Sequence, residues 1–202
     1  MAPSTTTPSG LDPDLATHEQ PIQEIIRVAH ERLAQRFEDV HVMTWPRQAR
    51  DVQHRADAML IELTRHVNAV RAVAVDEVRS VGEADLAQAL RTLCRDVEQS
   101  TWWIKARLYG NSSMSKCSFP ALVAEVEEQV ATLLDLEQQA LTQLRKHHDH
   151  AGLVRIGQRL LRVEAHSPTR PHPHLPHQGR LGALARAVTS RTDAIWDTVE
   201  GR

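Results

Sequence analysis

The chain has 202 residues, 41% of them hydrophobic and only 3% aromatic, with 8 glycines, which is the usage of helices and excludes a sheet-rich fold. That length supports one sizeable core with appended segments rather than two domains. The formal net charge of −2 hides a split, since residues 1–144 carry 14 basic and 21 acidic side chains and residues 145–191 carry 9 basic and 2 acidic; neutralisation of the basic part by the acidic part is the favoured reading, and no nucleic-acid partner is expected.

Residues 1–16, rich in Ser, Thr and Pro, read as a disordered tail. They show neither a basic nor an apolar leader region, and no stretch of the chain is long enough to span a bilayer. The expected location is therefore the cytoplasm, with Cys94 and Cys117 reduced. A first helix is predicted from residue 17 to about 40. Thr17-His18-Glu19-Gln20 reads as a capping box with Pro21 in the first turn, and Ile22, Ile25, Ile26, Val28, Leu33 and Phe37 form the apolar stripe. Pro46 is expected to open a second helix, which runs through Met59, Leu60, Leu63, Val67, Val70 and Val78 to Gly82. Leu86, Leu90, Leu93, Val97, Ile104 and Leu108 predict a third helix ending at Tyr109. A fourth starts near Ser118-Phe119-Pro120, buries Val126, Val130, Leu133, Leu141 and Leu144, and ends in Lys146-His147-His148-Asp149-His150.

Residues 17–147 thus read as an antiparallel up-down four-helix bundle. Residues 148–202 form an extension: a short amphipathic helix from Leu153 to Val163, a proline-rich strap, and a terminal helix from Leu181 to Val199. The strap cannot be helical, because Pro168, Pro171, Pro173 and Pro176 fix φ and remove donors.

Polar residues on the apolar stripes are the candidates for chemistry. His66 lies between Leu63 and Val70, His30 between Ile26 and Leu33, and Glu137 between Leu133 and Leu141. Each is expected to face or border the core, where an unpartnered carboxylate such as Glu137 is costly. Glu98 is a reserve candidate. His147, His148 and His150 read as a solvated helix end, and His172, His174 and His177 as part of a rigid tether. Of the adjacent Trp102 and Trp103 only one can point squarely into the core, and Arg107 beside Tyr109 could stack there.

These helices and residues resemble the hemerythrin-like, or HHE cation-binding, bundles. That family carries a His in helix one, a His-x-x-x-Glu pair in helix two, a His in helix three and a second His-x-x-x-Glu-like pair in helix four. Here helix two has His66 with Val70 in the Glu place, helix four has Glu137 with Leu133 in the His place, and helix three offers Glu98 but no histidine. The trailing Pro-Thr-Arg-Pro-His-Pro of residues 168–173 is similar to that of an actinobacterial branch of these proteins. The resemblance implies non-haem iron and the handling of oxygen or nitric oxide.

An oxygen-carrying diiron centre takes about six or seven protein ligands, more than this set supplies. Three readings remain. In the first, His30, His66 and Glu137, with Glu98 in reserve, hold a single iron or zinc for sensing or storage. In the second, the protein is a metal-free adaptor that binds a protein partner or self-associates through the strap and C-terminal helix. In the third, an apolar molecule fills a cavity near Trp102 or Trp103. No nucleophile or acid–base pair is apparent, so catalysis is not expected.

Overall fold

A computed structural model describes residues 20–42, 49–109 and 117–167 of the chain. Every regular element among them is helical, in the order α1 (Ile22–His41), α2 (Ala49–Ala69), a π-helical turn (Val70–Ala74), α3 (Val75–Ser80), α4 (Ala84–Leu108), α5 (Phe119–His147) and α6 (His150–Ala165). α2, the π turn and α3 follow one another without a break, so the described residues form five rods, the fifth being the short helix expected at Leu153 to Val163. The N-terminal tail, Pro46, the strap and the expected helix at 181–199 lie outside them. No described helix is long and apolar enough to cross a membrane.

α1 begins later than its capping box implied. Pro21 is its N-cap, in extended geometry (φ −69°, ψ 153°), and no side chain caps it. The Pro21 carbonyl instead accepts the amides of Glu24 and Ile25 at 3.0 and 3.4 Å. Gln20 therefore precedes the helix, and Pro21 does not lie within its first turn. Ile22, Ile25, Ile26, Ala29, Leu33, Phe37 and Val40 then recur at three- and four-residue spacing, and all are buried.

The second rod ends where expected: Gly82 takes φ +93°, a conformation that side-chain-bearing residues avoid, and its amide bonds back to Arg79. Its π turn was not foreseen. The Val75 amide reaches the Val70 carbonyl, five residues back, and inside the widened turn Arg71 is buried. The three residues 81–83 leave α4 little choice but to return alongside this rod. α4 in turn packs along α5. Ser118 caps α5 by accepting the Ala121 amide, with Pro120 in the first turn, where its missing N–H costs nothing.

After α5 the chain turns at His148, and Asp149 starts α6 by accepting the Gly152 amide at 2.7 Å. α6 packs against α1, α2 and the π turn, and its Leu153, Ile156 and Leu160 belong to the same hydrophobic core as the bundle helices. The approach to α1 is close at Gly157, where a Cβ would lie 2.6 Å from Ile25 Cδ1 and 2.9 Å from the Gln20 carbonyl oxygen. Ion pairs fasten the same helix: Arg159 to Glu77, and Glu164 to Arg32 at 2.8 Å. These are contacts in which side chains of the basic 145–191 segment and of the acidic part of the chain pair with each other.

Candidate metal centre

Three helices deliver one polar side chain each to a common point. His30 comes from α1, His66 from α2 and Glu137 from α5. One ligand atom from each lies within 4.8 Å of the others, so the group could hold a metal ion. His30 Nε2 is 2.7 Å from Glu137 Oε2, and His66 Nε2 is 3.1 Å from Oε1 and 3.3 Å from Oε2. The imidazole rings meet edge to face, their centres 5.6 Å apart. The side chains of Glu137 and His66 are 0% and 1% exposed while that of His30 is 15% exposed, so the cluster meets solvent on the α1 side.

The local sequence explains the placement. Each residue sits on an apolar stripe three or four positions from buried neighbours: Ile26 and Leu33, Leu63 and Val70, Leu133 and Leu141. Burying α1, α2 and α5 against one another therefore carries these polar groups inward.

Electrostatics ties the cluster together. Burial alone would push the Glu137 carboxyl up, but the charge of His66 and the hydrogen bonds from His30 and His66 outweigh it and lower the carboxyl from 4.5 to about 2. Burial would likewise depress the His66 imidazole. The Glu137 carboxylate and its hydrogen bond, with a smaller pull from Glu164, overcome burial and the opposing charge of Arg32, so the imidazole is raised above 6.5. The carboxylate is thus held ionised in a dry setting by two groups whose nitrogen lone pairs a metal could use.

The geometry suits an ion. Three donors around tetrahedral zinc with bonds near 2.1 Å stand about 3.4 Å apart, and the two Glu137 contacts at 2.7 and 3.1 Å need to open by less than about 1 Å to reach that spacing. Two imidazoles and one carboxylate are also a donor set used by mononuclear non-haem iron, with the remaining positions open. One feature departs from the usual pattern: His66 Nδ1 is buried with no hydrogen-bond partner among the described residues. A ligating histidine ordinarily donates this second N–H to an acceptor that fixes the ring and strengthens binding.

Glu98, the reserve ligand, is not brought to this point. It is buried on α4 and accepts Arg71 Nη1 at 2.7 Å. Arg71 Nη2 also donates to Asn68 Oδ1 at 2.8 Å, and Asn68 Nδ2 donates to the Thr64 carbonyl at 2.9 Å. This second cluster was missed in the sequence: Arg71 lies four residues after the buried Val67 and three before the buried Ala74, but an arginine is rarely buried unless it is paired. The signal available was Glu98 itself, a carboxylate between the buried Cys94 and Thr101. Cys94 is not in the group that could hold an ion; burial and the charges of Glu137 and Glu98, opposed by Arg71, push its thiol far up.

Trp102 and Trp103 are both half-buried and meet at 4.7 Å between ring centres, with Trp103 packed against the core. The Tyr109 hydroxyl donates to Asp57, and Lys105 Nζ stands 5.8 Å from the Tyr109 ring centre. Comparison with protein-family models, curated proteins and solved structures finds no match.

Proposed function

We propose that the protein is a hemerythrin-like metal-binding bundle in which His30, His66 and Glu137 hold one iron ion for sensing or storage rather than turnover. The observation that carries this reading is the convergence of two imidazoles and a buried ionised carboxylate from three helices on one point. Glu98 is already bound to a guanidinium, which leaves three protein ligands among the described residues and favours one ion over two. When bound, such an ion supplies Lewis acidity and open positions for a small exogenous ligand. The chain's own contribution is to exclude water at Glu137 and His66, to fix three donors, and to leave the His30 edge accessible. With no acceptor for His66 Nδ1 among the described residues, such a site is weaker by about 10- to 100-fold than one whose histidine is held from behind, which suits an exchangeable ion.

Elemental analysis tests this reading on untagged protein, purified without a metal column and reconstituted anaerobically with ferrous iron. Near-stoichiometric metal is expected, abolished in His66→Ala and Glu137→Ala and kept in Glu98→Gln. The metal-free adaptor reading has one observation of its own, the 2.7 Å contact that already satisfies Glu137 from His30. It predicts no metal in any of these proteins and loss of association when residues 167–202 are removed.

A further inference from the structure

Glu164 is a buried carboxylate that the three-residue cluster leaves unused. It stands near the end of α6, which packs on α1 and α2, and it is 8% exposed. Its two oxygens are treated differently. Oε1 accepts from Arg32 Nη2 at 2.8 Å, and Nε of the same half-exposed guanidinium binds Glu62 Oε1 at 2.9 Å. Oε2 is buried with no hydrogen-bond partner among the described residues, and the same is true of His66 Nδ1. A buried carboxylate oxygen without a donor and a buried ring nitrogen without a partner are both costly.

The placement of Glu164 brings these two atoms to one region. Glu62 lies one turn before His66 on α2, so the guanidinium that spans Glu62 and Glu164 sets the Glu164 carboxylate beside the turn of α2 that ends in His66. After burial and Glu137, the next influence on the His66 imidazole is the charge of Glu164, ahead of the opposing charge of Arg32. Of these two bonded partners, the carboxylate therefore stands nearer the ring. The chemistry of the two atoms also matches. Glu137 meets His66 at Nε2, and an ion held with Glu137 uses the same nitrogen, which leaves the remaining ring proton on Nδ1. No direct bond joins Nδ1 to Oε2, but one water can accept the N–H and donate to the carboxylate, the usual way in which buried polar atoms without protein partners are served. We propose that Glu164 is the positioning residue behind His66, holding its Nδ1–H across one buried water. The consequence rests on the metal reading, since a hold on Nδ1 fixes the ring and strengthens binding at Nε2; the contact itself needs no ion. A bridge through water holds less firmly than a direct acceptor, in keeping with an exchangeable ion.

Heteronuclear NMR of the histidine rings in the full-length, metal-free chain at neutral pH tests the contact. His66 Nδ1 should carry a slowly exchanging proton that resonates downfield, as a hydrogen-bonded N–H does. Glu164→Leu should move that resonance upfield or broaden it by exchange, whereas Arg32→Met, which removes the same ion pair but leaves the acceptor, should keep it. Affinity for ferrous iron, measured anaerobically, should follow: about 10-fold weaker in Glu164→Leu and retained in Arg32→Met. If Glu164 only fastens α6 to α1, the two variants behave alike in both measurements, and the proposal is overturned. An Nδ1 without a proton, or one whose signal is unchanged in Glu164→Leu, also overturns it and assigns Oε2 to Arg65 Nε, a second buried atom without a partner, on a residue that borders the same cleft as Glu164. The expected NMR signature in a protein that takes up no iron supports the contact and removes the metal reading alone. Helical circular dichroism confirms the fold of each variant. If Glu164→Leu does not fold, Glu164→Gln takes its place, since it keeps an oxygen for Arg32 and puts an amide donor where Oε2 stood.

Discussion

Two polar clusters branch from the second rod of the bundle, and they treat a buried carboxylate in opposite ways. Around Glu137 the partners are the imidazoles of His30 and His66, whose Nε2 atoms can carry either a proton or a metal. Around Glu98 the partner is Arg71, braced by Asn68, and a guanidinium keeps its proton and has no lone pair to give. The first cluster is exchangeable and the second is closed. The two clusters start from neighbouring turns, since Arg71, buried in the π turn at Val70–Ala74, lies five residues beyond His66. An equal degree of burial therefore does not make two carboxylates equal candidates for chemistry; the partner decides.

Breaking the closed cluster should have the largest effect on stability. Arg71→Ala leaves the Glu98 carboxylate buried without its guanidinium, and Glu98→Ala does the reverse. Each is expected to lower unfolding free energy by about 3–5 kcal/mol in urea titrations. The paired change Arg71→Met with Glu98→Leu removes both charges and should recover most of that loss. Metal content of whichever variants fold should match that of the unaltered protein. Metal lost along with Glu98 would instead join the two clusters into one site.

The exchangeable cluster should respond to pH. Glu137 has a folded value of about 2 against 4.5 unperturbed, so its contribution is present above 4.5 and is lost as pH falls towards 2. His66 is raised above 6.5, so its contribution is full below 6.5 and is lost as pH rises through the raised value. Both describe the same interaction seen from its two ends and are not summed. Stability from this cluster should peak between about pH 4.5 and 6.5, and Glu137→Gln should flatten both limbs while costing about 1–3 kcal/mol near the peak. Saturating ferrous iron should flatten the alkaline limb of the unaltered protein, since the ion takes the place of the proton. Thermal melts across pH, with and without metal, read out each of these.

The exchangeable cluster was legible in the sequence and the closed one was not, for a physical reason. Regular helical spacing puts His30, His66 and Glu137 among residues that must be buried, so their meeting follows once α1, α2 and α5 pack. The same spacing also points Arg71 inward, four residues after Val67 and three before Ala74, but a long charged side chain is rarely buried unless it is paired, and its partner on α4 is not local. Without Arg71, Glu98 was an inward carboxylate with no visible partner and looked like a spare ligand. The α6 stretch was legible as a short amphipathic helix, but nothing local showed that Gly157 lets it lie against Ile25 and the backbone at Gln20. The start of α1 was misplaced because Thr17 and Gln20 match a capping pattern, whereas Pro21 in extended geometry acts as the N-cap.

A smaller change sharpens the contrast from the side of geometry rather than charge. Asn68 holds Arg71 by its Oδ1 while its amide is tied to the Thr64 carbonyl, so it fixes where the guanidinium points without adding charge. Asn68→Ala should cost about 1 kcal/mol, the worth of an ordinary hydrogen bond, because the ion pair with Glu98 survives. If closure depends on charge alone, iron stoichiometry in Asn68→Ala stays as in the unaltered protein. If it depends on aim, a loosened Arg71 releases Glu98, and anaerobic titration should then show additional ferrous iron bound, abolished by Asn68→Ala with Glu98→Gln.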